Sequence, residues 1–126
     1  MGAPCALIGG VALAFHGIDR ATEDIDLLST EPSILNASVS SCGIPAGARA
    51  ISTNVTVTGS TAAGYLSTNA ADQAQPVATT LSFRVGQTRA NNAMLSLALD
   101  GTGGLKVLNG SPGSVHVIID VNGYFQ

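Results

Sequence analysis

The residues of this sequence most suited to chemistry form an acidic cluster close to its start. Four carboxylates crowd into one short stretch: Glu23, Asp24, Asp26 and Glu31. After them, no acidic residue appears until Asp72. Ile25 to Ser29 is predicted to be a strand, and residues two apart in a strand lie on the same side. Asp24 and Asp26 would then place two negative charges on one face.

Other chemistries have less support in the sequence. Ser, His and Asp all occur, but no Gly-x-Ser-x-Gly segment is present, so a nucleophilic triad is not predicted. Asp100 begins a glycine-rich stretch that offers calcium a single carboxylate, and a hairpin turn is predicted there instead. Neither histidine has a partner at metal-binding spacing. We expect His16 to end a helix and His116 to be exposed on a strand.

Two tyrosines, Tyr65 and Tyr124, are candidates for ligand contact, because an aromatic ring can stack on a sugar. With Phe125 they are the aromatic residues considered for such a platform. The chain has no Trp and only 4% aromatic residues, so the platform would be thin. Core packing or a strand-end contact is the alternative role for these side chains.

Composition argues against several classes of protein. The net charge is −3, and the five basic residues are scattered, which disfavours nucleic acid as a partner. The apolar run from Ala6 to Phe15 is too short to span a bilayer. No basic residue precedes this run, so an export signal is not predicted either. Cys5 and Cys42 could pair or stay free, and two cysteines do not identify the compartment.

Alternating apolar residues predict the fold of the rest of the chain. Four segments repeat with a period of two, with these residues facing inward: Ile51, Thr53, Val55, Val57; Leu81, Phe83, Val85; Leu95, Leu97, Leu99; Val115, Val117, Ile119, Val121. Turn-forming stretches such as Gly86-Gln87 separate the segments. Gly9-Gly10 precedes a short apolar helix over Val11 to His16. We therefore predict a mainly β chain, an antiparallel β-sandwich of six to eight strands with a short N-terminal helix.

Residues from about 38 to 126 resemble a family of bacterial secreted or cell-surface β-sandwich domains. The segments that carry the resemblance are Cys42-Gly-Ile-Pro-Ala-Gly-Ala, Asn54-Val-Thr-Val-Thr, Ala62-Ala-Gly-Tyr-Leu, Gly86-Gln-Thr-Arg-Ala-Asn-Asn-Ala and Ile119-Asp-Val-Asn-Gly-Tyr-Phe. The resemblance implies a non-enzymatic module at the cell surface that contacts a protein or a polysaccharide. It does not identify the ligand.

Residues from about 7 to 28 resemble the start of minimal nucleotidyltransferases, including those of toxin–antitoxin systems. The matching segment is Leu7-Ile-Gly-Gly-Val-Ala-Leu-Ala-Phe-His-Gly-Ile-Asp-Arg-Ala-Thr-Glu-Asp-Ile-Asp-Leu-Leu. The resemblance implies that Gly9 and Gly10 approach a nucleoside triphosphate and that Asp24 and Asp26 hold Mg²⁺. A third carboxylate on a neighbouring strand should complete the site. The acids available for it are Asp72 and Asp100, in predicted loops, and Asp120, in the ending shared with the surface family.

The two resemblances divide the chain into residues 1–30, a nucleotidyltransferase-like segment of helix and strand packed on the sandwich, and residues 31–126, the sandwich module. The strand from Ile25 to Ser29 is expected to pair at the sandwich edge. Three functions follow: a surface binding module with no cofactor, a Mg²⁺-dependent toxin–antitoxin component (active or degenerate), or a chimeric sequence without natural function. An exposed edge strand could also pair two copies into a homo-oligomer.

Overall fold

The computed structural model describes residues 5–7, 23–29, 33–39, 43–74 and 78–126, with the backbone alone for 5–7, 23–29 and 33–36. These residues form nine β-strands, in chain order β1 Cys5–Leu7, β2 Glu23–Ser29, β3 Ser33–Ser38, β4 Ala50–Thr58, β5 Gly64–Ala70, β6 Thr79–Phe83, β7 Arg89–Ser96, β8 Gly104–Asn109 and β9 Val115–Phe125. The helix predicted over Val11 to His16 lies outside the described residues. In the described part, no helix has the length and apolar character needed to cross a membrane.

The strands form two antiparallel sheets. The first has five strands in the order β1-β2-β9-β4-β7, and the second has four in the order β3-β8-β5-β6. The predicted mainly β, sandwich-like architecture is therefore confirmed. The strand number differs slightly, with nine in the described part against the predicted six to eight. The three-residue strand β1 is too short for a period-two pattern to reveal it.

The core lies between the sheets and follows the predicted alternation in β4 and β9. Every second residue of β4 from Ile51 to Val57 is buried, as is every second residue of β9 from Val115 to Val121. Leu66, Leu105 and further aliphatic side chains of the second sheet complete this core. Each fully buried aliphatic side chain contributes about 1.5–3 kcal/mol relative to an exposed one. The inward positions of these two strands were thus predictable from sequence.

Two residues predicted to face the core are exposed instead. Val85 is 63% exposed and Leu99 is 70% exposed. Each follows the end of its strand, because β6 ends at Phe83 and β7 ends at Ser96. The chain turns at Gly86, whose φ of 68° suits glycine. The apolar alternation in the sequence therefore extends beyond the last residue of each strand.

Strand β2 joins the start of the chain to the sandwich. All seven of its residues pair with β9, from Glu23 opposite Val121 to Ser29 opposite Val115. The predicted strand Ile25 to Ser29 is present within it, but its expected edge position is wrong. β1 pairs with the other side of β2, from Leu7 opposite Glu23 to Cys5 opposite Ile25. β2 is consequently an interior strand, and β9 is the central strand of the sheet.

One side of the sandwich is closed by side chains. β6 and β7 are edge strands of different sheets. The Asn91 amide on β7 donates to the Thr80 carbonyl of β6 at 2.9 Å. The Arg89 guanidinium donates to the Ser82 carbonyl at 3.2 Å. These bonds occupy β6 carbonyls that an incoming strand would otherwise use.

Candidate functional site

The register of β2 against β9 brings a third carboxylate to the predicted pair. Asp24 on β2 is the direct partner of Asp120 on β9, and Asp26 is the partner of Ile118. Directly paired residues of antiparallel strands lie on the same face, with Cβ atoms about 4.5–5.5 Å apart. Asp24, Asp26 and Asp120 therefore share one face of the sheet. Of the three acids considered from sequence, Asp120 is the one placed beside the pair.

This face is the outer face of the five-stranded sheet. Ile119 and Val121, the neighbours of Asp120 along β9, are both buried in the core. Because successive residues of a strand point to opposite sides, Asp120 belongs to the face away from the core. It is half-buried there. The three aspartates thus lie at the middle of a sheet surface, where β9 and β2 run side by side.

A polar row continues across the sheet from this point. Asp120 pairs with Asn54 on β4, and Asn54 pairs with Asn92 on β7. We call Asp24, Asp120, Asn54 and Asn92 the polar row. Asn54 is half-buried and Asn92 is exposed. Four adjacent strands therefore each contribute one carboxylate or amide at the same level of the sheet.

One oxygen of Asp120, its Oδ1, is buried and has no hydrogen-bond partner in the described part of the protein. Leaving a buried polar atom unpaired costs about 1–3 kcal/mol, and more when the group is charged. Asp24 opposite adds a second carboxylate rather than a donor, and like charges directly opposite each other destabilise a sheet. The arrangement is one that a bound cation would relieve.

The donor set fits Mg²⁺, which prefers carboxylate oxygens and is usually bound by one or two protein carboxylates with substrate phosphates. Among the residues whose side chains are described, no group of three His, Cys, Asp or Glu side chains could hold a metal. Asp24 and Asp26 lie outside that set, because only their backbone is described. The fit therefore rests on backbone register and on the unpaired Asp120 oxygen.

The two other acids considered from the sequence, Asp72 and Asp100, accept hydrogen bonds in loops. The Asp72 carboxylate accepts the backbone N–H of Leu99 at 2.9 Å. Asp100 accepts both the hydroxyl of Thr102 at 2.6 Å and its backbone N–H at 3.0 Å. These two hydrogen bonds, the hydroxyl's first, lower the pKa of Asp100 below its ordinary value. The predicted turn role of Asp100 agrees with this geometry.

The two tyrosines predicted to contact a ligand are not brought together. Tyr65 lies on β5 in the second sheet, and its ring packs so closely on Gly110 that any Cβ there would meet it at 2.3 Å. Tyr124 lies near the end of β9 in the first sheet, opposite Ile51. The two tyrosines therefore belong to different sheets. They do not form a stacking platform.

The remaining candidates are placed as follows. His116 is exposed on β9, as expected, opposite Leu28 and Thr58. Gly9, Gly10, His16 and Cys42 lie outside the described residues. Both alternatives for Cys5 and Cys42, a disulfide or two free thiols, therefore stay as the sequence left them.

Sequence reasoning considered Asp120 as a third carboxylate, together with Asp72 and Asp100, but did not select it. The alternation of β9 placed it outward between Ile119 and Val121, which was a usable signal. Its partner could not be identified from sequence, because β2 and β9 lie at opposite ends of the chain. Register between distant strands depends on the packing of the whole sheet.

Comparison with solved structures finds distant likenesses. The coat protein dimer of Tobacco streak virus is 10% identical over 82% of this chain and 86% of that chain, with a TM-score of 0.42. The dTDP-4-dehydrorhamnose 3,5-epimerase of Bacillus anthracis is 14% identical over 94% of this chain and 62% of that chain, with a TM-score of 0.32. At these scores neither likeness carries an argument.

Sequence comparison identifies the family of this chain. Among curated proteins, none matches the chain. A family profile described as nucleotidyl transferase AbiEii toxin, type IV toxin–antitoxin system, matches residues 2–110. The match includes Gly9, Gly10, Asp24 and Asp26 and ends before Asp120. It supports the nucleotidyltransferase resemblance and not the surface-module resemblance. The chain belongs to the AbiEii family of nucleotidyl transferase toxins.

Proposed function

We propose that this protein is a nucleotidyltransferase-related component of a toxin–antitoxin system, with a Mg²⁺ site formed by Asp24, Asp26 and Asp120. The family match provides the class of activity. The pairing of Asp24 with Asp120 is the observation that carries the site. The family is typically Mg²⁺-dependent, and the Oδ1 of Asp120, which accepts no hydrogen bond from the described residues, would be available as a ligand atom.

The three aspartates would do one task, which is to bind a cation and orient a triphosphate beside it. Bound Mg²⁺ would offset charge on the phosphates and polarise the phosphoryl group that is attacked. Asp120 is fixed for this task because β9 is paired on both sides, with β2 and with β4. Asp24 and Asp26 are fixed by seven consecutive backbone pairs. Sites built on paired strands hold their groups more precisely than loops do.

Gly9 and Gly10 would provide backbone N–H groups for the phosphates. Gly9 follows Leu7 by two residues, and Leu7 pairs with Glu23, the neighbour of Asp24. Two residues of extended chain span at most about 7 Å. We propose that the glycine pair acts at the end of β2 that carries Asp24. This short link supports a common site for the two halves of the motif.

The reaction would join an acceptor oxygen to the α-phosphorus of a nucleoside triphosphate and release pyrophosphate. The test is incubation with Mg²⁺ and each of four α-labelled ribonucleoside triphosphates, followed by measurement of pyrophosphate and of label on protein or added RNA. We expect Asp24→Asn, Asp26→Asn and Asp120→Asn to reduce turnover by more than about 100-fold. Even outer-shell partners of metal ligands are worth 10–100-fold.

A matched control is Asp72→Asn, which changes a carboxylate to an amide in a loop. Its side-chain oxygen can still accept the Leu99 N–H. This variant should retain full turnover. Equal signals from the parent and the Asp24→Asn variant, with both chains folded by circular dichroism, would contradict the proposal.

A binding role at a cell surface stays a prediction of the sequence. No comparison supports it. The assay for it is retention of the protein on peptidoglycan or polysaccharide.

A further inference from the structure

Two asparagines of this chain precede a glycine, and the fold holds them very differently. They are Asn109, followed by Gly110, and Asn122, followed by Gly123. An Asn-Gly step is chemically reactive, because the glycine nitrogen can attack the side-chain amide and no Cβ shields that nitrogen. In a folded protein, the reaction depends on how firmly the amide and the adjoining backbone are held. The two steps can therefore behave differently within one folded chain.

Asn109 is held through both polar atoms of its side chain. The residue is fully buried. Its Nδ2 donates to the Gly113 carbonyl at 3.0 Å, and its Oδ1 accepts the Ser111 N–H at 3.0 Å and the Ser111 hydroxyl at 2.8 Å. The N–H of Gly110 donates to the Tyr65 carbonyl at 2.9 Å. Both the amide and the nitrogen that would attack it are therefore fixed in place.

Asn122 lies where β9 bulges. The pairing of β4 with β9 passes from Thr53 opposite Val121 to Ser52 opposite Gly123, so Asn122 is the extra residue without a partner on β4. The extra residue of a bulge is unpaired and departs from the extended geometry of the strand. The described part of β2 reaches no further along β9 than Val121. The backbone at Asn122 is therefore held less firmly than that of the preceding residues of β9.

The side chain of Asn122 is open to water. It is half-buried, and its amide makes no hydrogen bond within the described residues. The amide is not among the buried unpaired groups, so solvent reaches it. The next residue is uncrowded, because a Cβ built on Gly123 would meet its nearest neighbour, the Cβ of Ser52, at 3.9 Å. Asn122 thus combines an unrestrained amide, an uncrowded glycine and access to water.

We infer that Asn122 is a site of spontaneous deamidation and isoaspartate formation in the folded protein, and that Asn109 is not. The Gly123 nitrogen bonds to Cγ of Asn122, and the side-chain nitrogen leaves as ammonia with the glycine amide proton. Water then opens the cyclic imide at either carbonyl, which gives aspartate or isoaspartate. Either product places a new carboxylate two residues from Asp120. Isoaspartate also adds a carbon to the main chain, which disturbs the pairing of β9 with β4 beyond the bulge.

The test is incubation of the folded chain at mildly alkaline pH, followed by measurement of ammonia and by tandem mass spectrometry. Both asparagines lie in the tryptic peptide from Val107 to Gln126, so one digest reports on both sites. We expect Asn122 to deamidate more than about tenfold faster than Asn109, because the Asn109 amide must first break its hydrogen bonds. In denaturant the two sites should react at similar rates, since each precedes a glycine.

The matched variant is Gly123→Ala. The space around Gly123 admits a methyl group, and its φ lies outside the left-handed region. This variant should fold like the parent by circular dichroism and deamidate more slowly at Asn122, because the methyl group shields the attacking nitrogen. Equal rates at Asn109 and Asn122 in the folded parent would overturn the inference. So would an Asn122 that reacts in denaturant and stays intact in the folded chain.

Discussion

At the scale of single residues, the proposed site depends on one carboxylate with an unusual environment. Asp120 lies at the centre of the first sheet with one buried oxygen unpaired, while the loop acids Asp72 and Asp100 have donors. Among the carboxylates whose side chains are described, those of Asp72 and Asp100 accept hydrogen bonds, whereas the Oδ1 of Asp120 accepts none. The proposed site gives this oxygen a role, because a bound cation would be its partner.

Asp120→Asn should stabilise the protein when no divalent cation is present. The substitution removes one of two like charges that lie directly opposite each other, a repulsion worth about 0.2–1 kcal/mol. It should also abolish any rise in Tm caused by Mg²⁺. Thermal unfolding of parent and variant, in chelator and in excess Mg²⁺, measures both effects. A variant less stable than the parent in chelator would contradict this prediction.

Asp100 should make part of the stability depend on pH. Its folded-state pKa lies below the ordinary value of 3.8, because Thr102 donates to the ionised carboxylate. The stabilisation is present above pH 3.8 and is lost as the pH falls through the folded-state pKa. Asp100→Asn does not titrate. The difference in Tm between parent and Asp100→Asn should shrink on acidification through this window, and a constant difference would contradict the assignment.

At the scale of elements, the closed side formed by β6 and β7 can be tested separately from the site. Asn91→Ala removes the donor to the Thr80 carbonyl and should cost about 1 kcal/mol, or roughly 4 °C in Tm. Asn92→Ala, one residue away and without a hydrogen bond in the described part, is the matched control and should cost little. Equal decreases in Tm for the two variants would show that the hydrogen bond from Asn91 to Thr80 does not contribute to stability.

The elements also show what sequence could and could not predict. The inward positions of β4 and β9 followed from alternating Val and Ile. The exposure of Val85 and Leu99 could not be predicted in this way. An apolar residue just beyond a strand end continues the alternation in the sequence, although no opposite sheet covers its side chain. The strand near Ile25 was predicted, but its interior position was not, since β1 has only three residues.

At the scale of the whole molecule, the start of the chain and its last strand form one sheet. β2 is paired on one side with β9 and on the other with β1. Two resemblances that divide the sequence near residue 30 therefore meet in a single backbone ladder. The pairing that places Asp24 opposite Asp120 also supports the sandwich.

Deletion of residues 1–30 should lower stability substantially. It removes β1 and β2 and leaves one side of β9, the central strand, without seven backbone partners. We expect a Tm lower by at least about 10 °C, since 1 kcal/mol corresponds to roughly 4 °C for a domain of this size. An unchanged Tm would show that the sandwich does not need this ladder.

The most direct test of the central claim is the register of β2 against β9, measured by disulfide formation. In a chain with Cys5→Ser and Cys42→Ser, we would compare Asp24→Cys/Asp120→Cys with Asp26→Cys/Asp120→Cys under mild oxidation. Direct partners fall within the Cα separation of about 4.4–6.8 Å that a disulfide requires, whereas diagonal neighbours lie about 7–8 Å apart. The account predicts rapid crosslinking of the first pair and little of the second. Preferential crosslinking of the second pair, or of neither, would contradict it.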